Sequence, residues 1–165
     1  MNRKTVLLLV TIAALALAGT AAAMTIKGTN GSDTINGSQN SDVIYGYAGN
    51  DWIHGHHGND VIFGGPGNDE LHGGRGSDTL HGGAGNDVLW AGTGVDKLYG
   101  GVGNDKLYAL ANDNQKDVLD CGPGDDTAYV IEHDPVTLRG CEHVVRLSKS
   151  AAATTTAAND PNSNG

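Results

Sequence analysis

Aspartate recurs every nine residues, nine times in succession, and that period limits what the chain can become. The positions are Asp33, Asp42, Asp51, Asp60, Asp69, Asp78, Asp87, Asp96 and Asp105. Two places after each stands an aliphatic residue: Ile35, Ile44, Ile53, Ile62, Leu71, Leu80, Leu89, Leu98 and Leu107. Two places before each stands glycine, except at Asn40, and asparagine is the next residue most tolerant of left-handed backbone. Three positions held in phase over so many periods describe one supersecondary unit copied along a stack. The phase breaks once. Asp105 to Asp117 is twelve residues, so three extra residues lie within Ala109 to Lys116. Phase returns in Asp117-Val118-Leu119-Asp120, and Cys121-Gly122-Pro123-Gly124-Asp125-Asp126 makes one more loop. The array therefore runs from about Gly28 to Tyr129.

One unit, Gly64-Gly65-Pro66-Gly67-Asn68-Asp69-Glu70-Leu71-His72, shows the physics. Its first six residues predict a turn, in which glycine supplies positive φ angles and lets the backbone approach an ion closely. The last three predict a short strand with Leu71 pointing inward and Glu70 and His72 outward. A three-residue strand cannot stand alone, so it must stack on copies of itself as a solenoid. With 26 glycines and one phenylalanine, the chain has little for a conventional core. Acidic side chains outnumber basic ones, 19 to 10, for a net charge of −9. Regularly placed aspartates point to cations as partners, and away from nucleic acid.

Gly73-Gly74-Arg75-Gly76-Ser77-Asp78-Thr79-Leu80-His81 and Gly82-Gly83-Ala84-Gly85-Asn86-Asp87-Val88-Leu89-Trp90 follow G-G-x-G-x-D-x-U-x at every fixed position, where U is aliphatic. In this the chain resembles the hemolysin-type, or repeats-in-toxin (RTX), calcium-binding proteins. Departures are mild: Thr29, Ser38, Tyr47 and His56 replace the second glycine, and Ala91 the first. The resemblance implies an all-β, right-handed parallel β-roll in which two nonapeptides form one coil of eighteen residues. Ions would then sit between turns stacked eighteen residues apart. One column joins Asp33, Asp51, Asp69, Asp87 and Asp105; the other joins Asp42, Asp60, Asp78 and Asp96. A site such as Asp69/Asp87 would take both carboxylates with carbonyls of Gly65, Gly67, Gly82 and Ala84. Gly74, Gly76, Gly83 and Gly85 would be the corresponding carbonyl donors nearby. Six oxygens of this kind suit Ca²⁺. Neighbouring pairs make seven sites, and Asp96/Asp117 and Asp105/Asp126 raise the number to nine if the insertion loops out cleanly. Affinities of ~10⁻⁴ to 10⁻³ M are typical of extracellular modules.

Electrostatics predicts that folding needs the metal. Carboxylates on strands ~4.8 Å apart repel by ~0.9 kcal/mol in water and ~3.5 kcal/mol at an effective dielectric of about 20. Glycine-rich backbone also loses unusually large entropy on ordering. Calcium reverses the sign of the column interaction and couples binding to folding.

The rest of the chain divides around the array. Residues 1–23 read as a signal peptide: Arg3 and Lys4 precede an apolar run from Val6 to Ala18, and Ala21-Ala22-Ala23 offers a cleavage site. The expected mature chain begins near Met24 and is secreted. The roll then occupies 24–129. In an exported chain two cysteines suggest a Cys121–Cys141 disulfide; free thiols or a metal pair are the alternatives, the latter poor zinc ligands without a CxxC. Residues 130–147, with strand-like Val130-Ile131 and Val144-Val145, predict a C-terminal cap. Residues 148–165, rich in Ala, Thr and Asn, predict a disordered tail.

Outward positions of one column stack Tyr45, Phe63, His81 and Tyr99 into an aromatic ladder, either a binding strip or cross-strand packing. His54, His56 and His57 lie close in sequence and His54 should stack on His72. A soft-metal site there competes with the commoner reading of solvent-facing strand positions. No HExxH or GxSxG occurs. The functions that remain are a non-catalytic calcium-binding module and a calcium-dependent adhesin, in which the aromatic strip holds a cell-surface glycan, wall polymer or protein.

Overall fold

The computed structural model describes residues 22–159, so the expected leader, save its last two residues, lies outside the described residues. Fourteen short strands follow one another. In chain order they are β1 (Thr25–Lys27), β2 (Thr34–Asn36), β3 (Val43–Tyr45), β4 (Trp52–His57), β5 (Val61–Pro66), β6 (Glu70–Arg75) and β7 (Thr79–Ala84). They continue as β8 (Val88–Thr93), β9 (Lys97–Val102), β10 (Lys106–Ala109), β11 (Asp117–Asp120), β12 (Thr127–Ile131), β13 (Val136–Arg139) and β14 (His143–Leu147), before a helix, α1 (Lys149–Asn159). Odd-numbered strands form one seven-stranded sheet and even-numbered strands the other, each pairing with the strand two places on. All pairs are parallel, with Ile44 opposite Ile62 and Leu71 opposite Leu89, an offset of eighteen residues. The chain is thus an all-β parallel solenoid of seven coils, two strands to a coil.

The period explains the core. The eighth residue of each nine-residue motif points inward, and Ile44, Ile53, Ile62, Leu71, Leu80, Leu89, Leu98 and Leu107 are fully buried. Each contributes about 1.5–3 kcal/mol, but a coil of eighteen residues holds only two of them. Hydrogen bonds between coils carry the remainder of the architecture. In the middle of the stack the strands are longer than the three residues expected. β4 through β9 each run on through the motif's first three residues, as where Gly65 pairs with Gly83 and Pro66 with Ala84. The corner is correspondingly tight.

The insertion is absorbed without loss of register. Leu119 lies opposite Leu98 and Ala128 opposite Leu107, offsets of twenty-one residues. The three extra residues lengthen one turn and leave both sheets intact. Cys121 and Cys141 form a disulfide joining the last two coils on one side.

Val130 and Ile131 end β12 in the sixth coil, and beyond them β13 pairs with β11 and β14 with β12 as a seventh coil, so the expected cap closes the stack by continuing both ladders. Residues 149–159, expected as disordered tail, form α1. Ala152 is buried there with Trp90, Leu110 and Ile131, an apolar contact that favours a helix over a solvated chain.

Candidate metal sites

The corners between strands bring the aspartates together in two columns. From Asp51 on, each column Asp uses Oδ1 to accept the backbone N–H of the Asp in the preceding coil, and Asp42 Oδ1 accepts that of Met24. Asp51 N donates to Asp69 Oδ1 at 2.9 Å, Asp69 N to Asp87 Oδ1 and Asp87 N to Asp105 Oδ1, both at 2.8 Å. The other column repeats this through Asp42, Asp60, Asp78 and Asp96. Both columns cross the insertion, with Asp96 N donating to Asp117 Oδ1 at 2.9 Å and Asp105 N to Asp126 Oδ1 at 2.7 Å. At the end of one column Glu142 takes over, accepting the Asp126 N–H.

Oδ2 is different. In Asp51, Asp60, Asp69, Asp78, Asp87, Asp96, Asp105 and Asp126 it is buried with no hydrogen-bond partner. A buried carboxylate oxygen without a donor is costly. Burial accordingly pushes Asp60 and Asp69 up to about 6, Asp78 and Asp87 to about 7 and Asp96 to about 8. The neighbour's N–H opposes this in every case and the charges of adjacent carboxylates add to it. Asp51, Asp105 and Asp126 are raised for the same first reason, and Asp117 to about 6.

A second oxygen faces each orphan. A methyl group placed on Gly64 would meet both Asp69 Oδ2 and, at 2.7 Å, the Gly82 carbonyl of the next coil. Gly46, Gly55, Gly73, Gly82 and Gly100 repeat the arrangement, pairing the Oδ2 of their own repeat with a first-position carbonyl one coil on. Oxygens converging on one point without a donor between them make a place for a cation.

The corner frees further oxygens. Along the sheets a residue's N–H goes to the carbonyl nineteen places back, as from Val61 to Asp42. By that rule Asn86 N–H belongs to Gly67, but it donates to Asn68 Oδ1 instead, at 2.7 Å. Asn50, Asn68, Asn86 and Asn104 form a side-chain ladder of this kind, continued by the Asp125 N–H. The Gly67 carbonyl is thereby released, and it points at the α-carbon of Gly85 with no room for a side chain there. Gly65 faces Gly83 in the same way, while Gly74 and Gly76 face Gly92 and Gly94. The Gly83 and Gly85 carbonyls face Gly101 and Gly103. The carbonyl of Ala84 is placed otherwise: it accepts the Gly67 N–H at 2.8 Å.

The first two repeats depart from the rest. Thr29 donates its N–H and hydroxyl to Asp33 Oδ2, at 2.6 and 2.9 Å, and Ser38 does the same to Asp42 Oδ2. Where the second glycine is lost to a hydroxyl residue, the carboxylate is already satisfied. The Asn ladder and these hydroxyls were legible as residues eighteen or four places apart, but their role needs the coil-to-coil contact.

Among the described residues no three His, Cys, Asp or Glu side chains converge on one point, so an ion must draw on backbone carbonyls. Oxygen-only, partly neutral donor sets of this kind suit a hard cation such as Ca²⁺ and not a soft one. The histidines, expected to face solvent, do otherwise at two positions. His54 and His72 are buried beside Trp52 and Trp90, and His72 Nε2 meets Glu70 at 2.9 Å.

The outer faces hold two stacked ladders. Tyr45, Phe63, His81 and Tyr99 stack at centroid spacings of 5.0, 4.8 and 4.7 Å. A second, unforeseen ladder of His72, Trp90, Tyr108 and Tyr129 runs along the opposite sheet.

Comparison with known families finds one match. The RTX calcium-binding nonapeptide repeat (4 copies) matches residues 27–62, 37–71, 46–80, 54–89, 72–107, 81–115 and 90–128. No curated protein and no solved structure matches the chain.

Proposed function

The chain belongs to the RTX calcium-binding nonapeptide repeat family, and from that premise we propose that it is a secreted, non-catalytic β-roll which folds as Ca²⁺ fills the spaces between its stacked corners. Calcium binding comes with the family; the coupling to folding is argued from the orphaned Oδ2 atoms. Eight buried carboxylates with an unpartnered oxygen oppose the metal-free stack, and only two aliphatic side chains per coil work against them. Binding free energy then becomes folding free energy. The ligands would be the column aspartates with first- and fourth-position carbonyls such as those of Gly82 and Gly67. Five regular pairs have both Oδ2 atoms unpartnered, Asp33/Asp51 and Asp42/Asp60 would need Thr29 and Ser38 to give up theirs, and Asp96/Asp117 and Asp105/Asp126 bring the number to nine.

Circular dichroism during a calcium titration of chelator-treated protein tests the coupling. Cooperative gain of β signal is expected, and full β content without metal would refute it. Export rests on the leader-like residues 1–23 and agrees with the disulfide, which oxidising compartments favour. Protein recovered outside the cell should begin near Met24.

One observation favours a second role as a calcium-dependent adhesin. The Tyr45–Phe63–His81–Tyr99 ladder is half-buried and flat, the form of a surface that stacks on sugar rings. Against it, the opposite ladder is stacked just as closely yet partly covered by Leu110 and α1, so such ladders also serve packing. Screening glycans and wall polymers against wild type and Tyr45→Ser/Phe63→Ser in calcium separates the two: a binding strip loses its ligand while the fold persists.

A further inference from the structure

The second aspartate column begins at Met24. β1 pairs with β3 so that Thr25 lies opposite Val43, which sets Met24 opposite Asp42, in the place an aspartate fills in each later coil of that column. Its backbone behaves accordingly. The Met24 N–H donates to Asp42 Oδ1 at 2.9 Å, as the Asp42 N–H does to Asp60 Oδ1 at 2.7 Å, and the Met24 carbonyl accepts the Val43 N–H at 2.8 Å. Ala22 and Ala23, the described residues before it, are exposed and belong to no strand. The ladder therefore starts at the expected first residue of the exported chain.

Asp42 is 1 % exposed. Its Oδ2 accepts the Ser38 N–H and hydroxyl at 2.7 and 2.8 Å. These donors and the Met24 N–H are all neutral, and no lysine, arginine or histidine side chain among the described residues pairs with Asp42. A buried carboxylate held only by neutral donors carries a charge that nothing offsets. Hydrolysis of the Ala23–Met24 amide changes that. Water adds across the bond, Ala23 leaves with a carboxylate, and Met24 keeps an amine that is protonated at about pH 7.

We propose that Ala23–Met24 is a processing site whose cleavage completes the first coil: the new α-ammonium stays on Asp42 Oδ1 and supplies the counter-charge that a neutral amide cannot. The inference rests on reading residues 1–23 as a cleaved leader. A charge-assisted hydrogen bond is roughly twice as strong as a neutral one, and this one fastens β1, an edge strand of three residues with a neighbour on one side only. The precursor, with an amide at Met24, has the same contact without the charge. Its first coil frays where that of the exported chain holds, so the roll reaches its full length only once the leader is gone. At this end of the column an ammonium takes the part proposed for calcium between later aspartates.

Hydrogen exchange in calcium tests this on protein recovered outside the cell, before and after acetylation near neutral pH, where the α-amine reacts ahead of lysine. The acetylated protein keeps one N–H for Asp42 but no charge, as the precursor does. Exchange across β1 and at Gly28, whose N–H donates to the Tyr45 carbonyl at 2.7 Å, should be about tenfold slower with the free amine than with the acetylated one, while β5 to β9 exchange alike in both. Asp42→Asn keeps an acceptor for Met24 and should erase the difference. Equal exchange in the free and acetylated wild-type proteins overturns the pair, and that comparison decides alone should the variant not fold. A difference that survives Asp42→Asn overturns Asp42 as the partner. N-terminal sequencing separates the premise: exported protein whose first residue is not Met24 refutes the processing site and the leader boundary with it, whereas Met24 first with equal exchange refutes only the pairing.

Discussion

Replacing Asp78 by asparagine should move the protein's stability in opposite directions with and without calcium. Asp78 is 1 % exposed, its Oδ1 accepts the Asp60 N–H at 2.8 Å, and its Oδ2 has no partner. Burial, countered in part by that N–H and aided by the Asp60 charge, pushes it from 3.8 up to about 7. A carboxyl held higher in the fold than in the unfolded chain opposes folding once ionised. Its cost is absent below about pH 4 and complete above about pH 7. Three pH units correspond to roughly 4 kcal/mol as an upper bound. Asparagine keeps the acceptor for Asp60, removes the charge and turns an NH₂ toward the Ala91 carbonyl, which shares the space beside Gly73 with Oδ2. The metal-free fold should therefore gain up to about that amount. In calcium the same change strips a carboxylate from two sites, Asp60/Asp78 and Asp78/Asp96. At a hundredfold excess of calcium over Kd, each site contributes about 2.7 kcal/mol, so up to about 5 kcal/mol is lost. Two measurements by circular dichroism at about pH 8 read the pair of effects. In chelator, the midpoint of folding driven by an osmolyte should fall; in calcium, the urea midpoint should also fall, now reporting lost stability. A variant harder to fold in both conditions would show that the Asp78 charge is no burden to the metal-free stack. One more stable in both would show that Asp78 is no ligand.

Acid should substitute for the metal in part. Asp60, Asp69, Asp78, Asp87 and Asp96 are all raised, to between about 6 and about 8. In chelator, β signal should therefore rise as pH falls from about 8 toward 5, and the calcium midpoint should climb as protons compete. Leu80→Ala in calcium should cost about 2–5 kcal/mol in urea denaturation, because Leu80 is fully buried between Ile62 and Leu98. Replacing Cys121 and Cys141 by serine opens a loop with a separation of 20 residues and should cost about 3 kcal/mol, without changing the calcium stoichiometry.

Much of this is legible in the sequence. The nine-residue period placed the inward Ile and Leu from Ile35 to Leu107 and the two aspartate columns, because a motif that repeats in phase leaves stacking in phase as its consistent outcome. The disulfide was expected from the cysteine number together with the leader-like residues 1–23. Positions that depend on what the next coil brings were read less well. His54 and His72 were expected in solvent, yet Trp52 lies against both and Trp90 of the next coil stacks on His72. Thr29 and Ser38 were read as harmless losses of glycine, and their hydroxyls in fact satisfy Asp33 and Asp42. The segment after Tyr129 lacks the motif, so Val130-Ile131 and Val144-Val145 were legible as strands but β13, the pairing into a seventh coil and α1 were not, although backbone hydrogen bonding to an open ladder needs no motif.

The sequence by itself determined the repeat, its hydrophobic stripe and the chemistry of the donors, since these depend on residue type and spacing along one chain. Only the tertiary structure decided which oxygens are left over. An Asp carboxylate has two, and coil-to-coil contact assigns one to a backbone N–H and strands the other beside a carbonyl. It also placed Asp113, from the inserted turn and outside the period, in the slot of a missing carbonyl. Spacing cannot anticipate that, because a stacked corner is completed by whichever atom the neighbouring coil delivers.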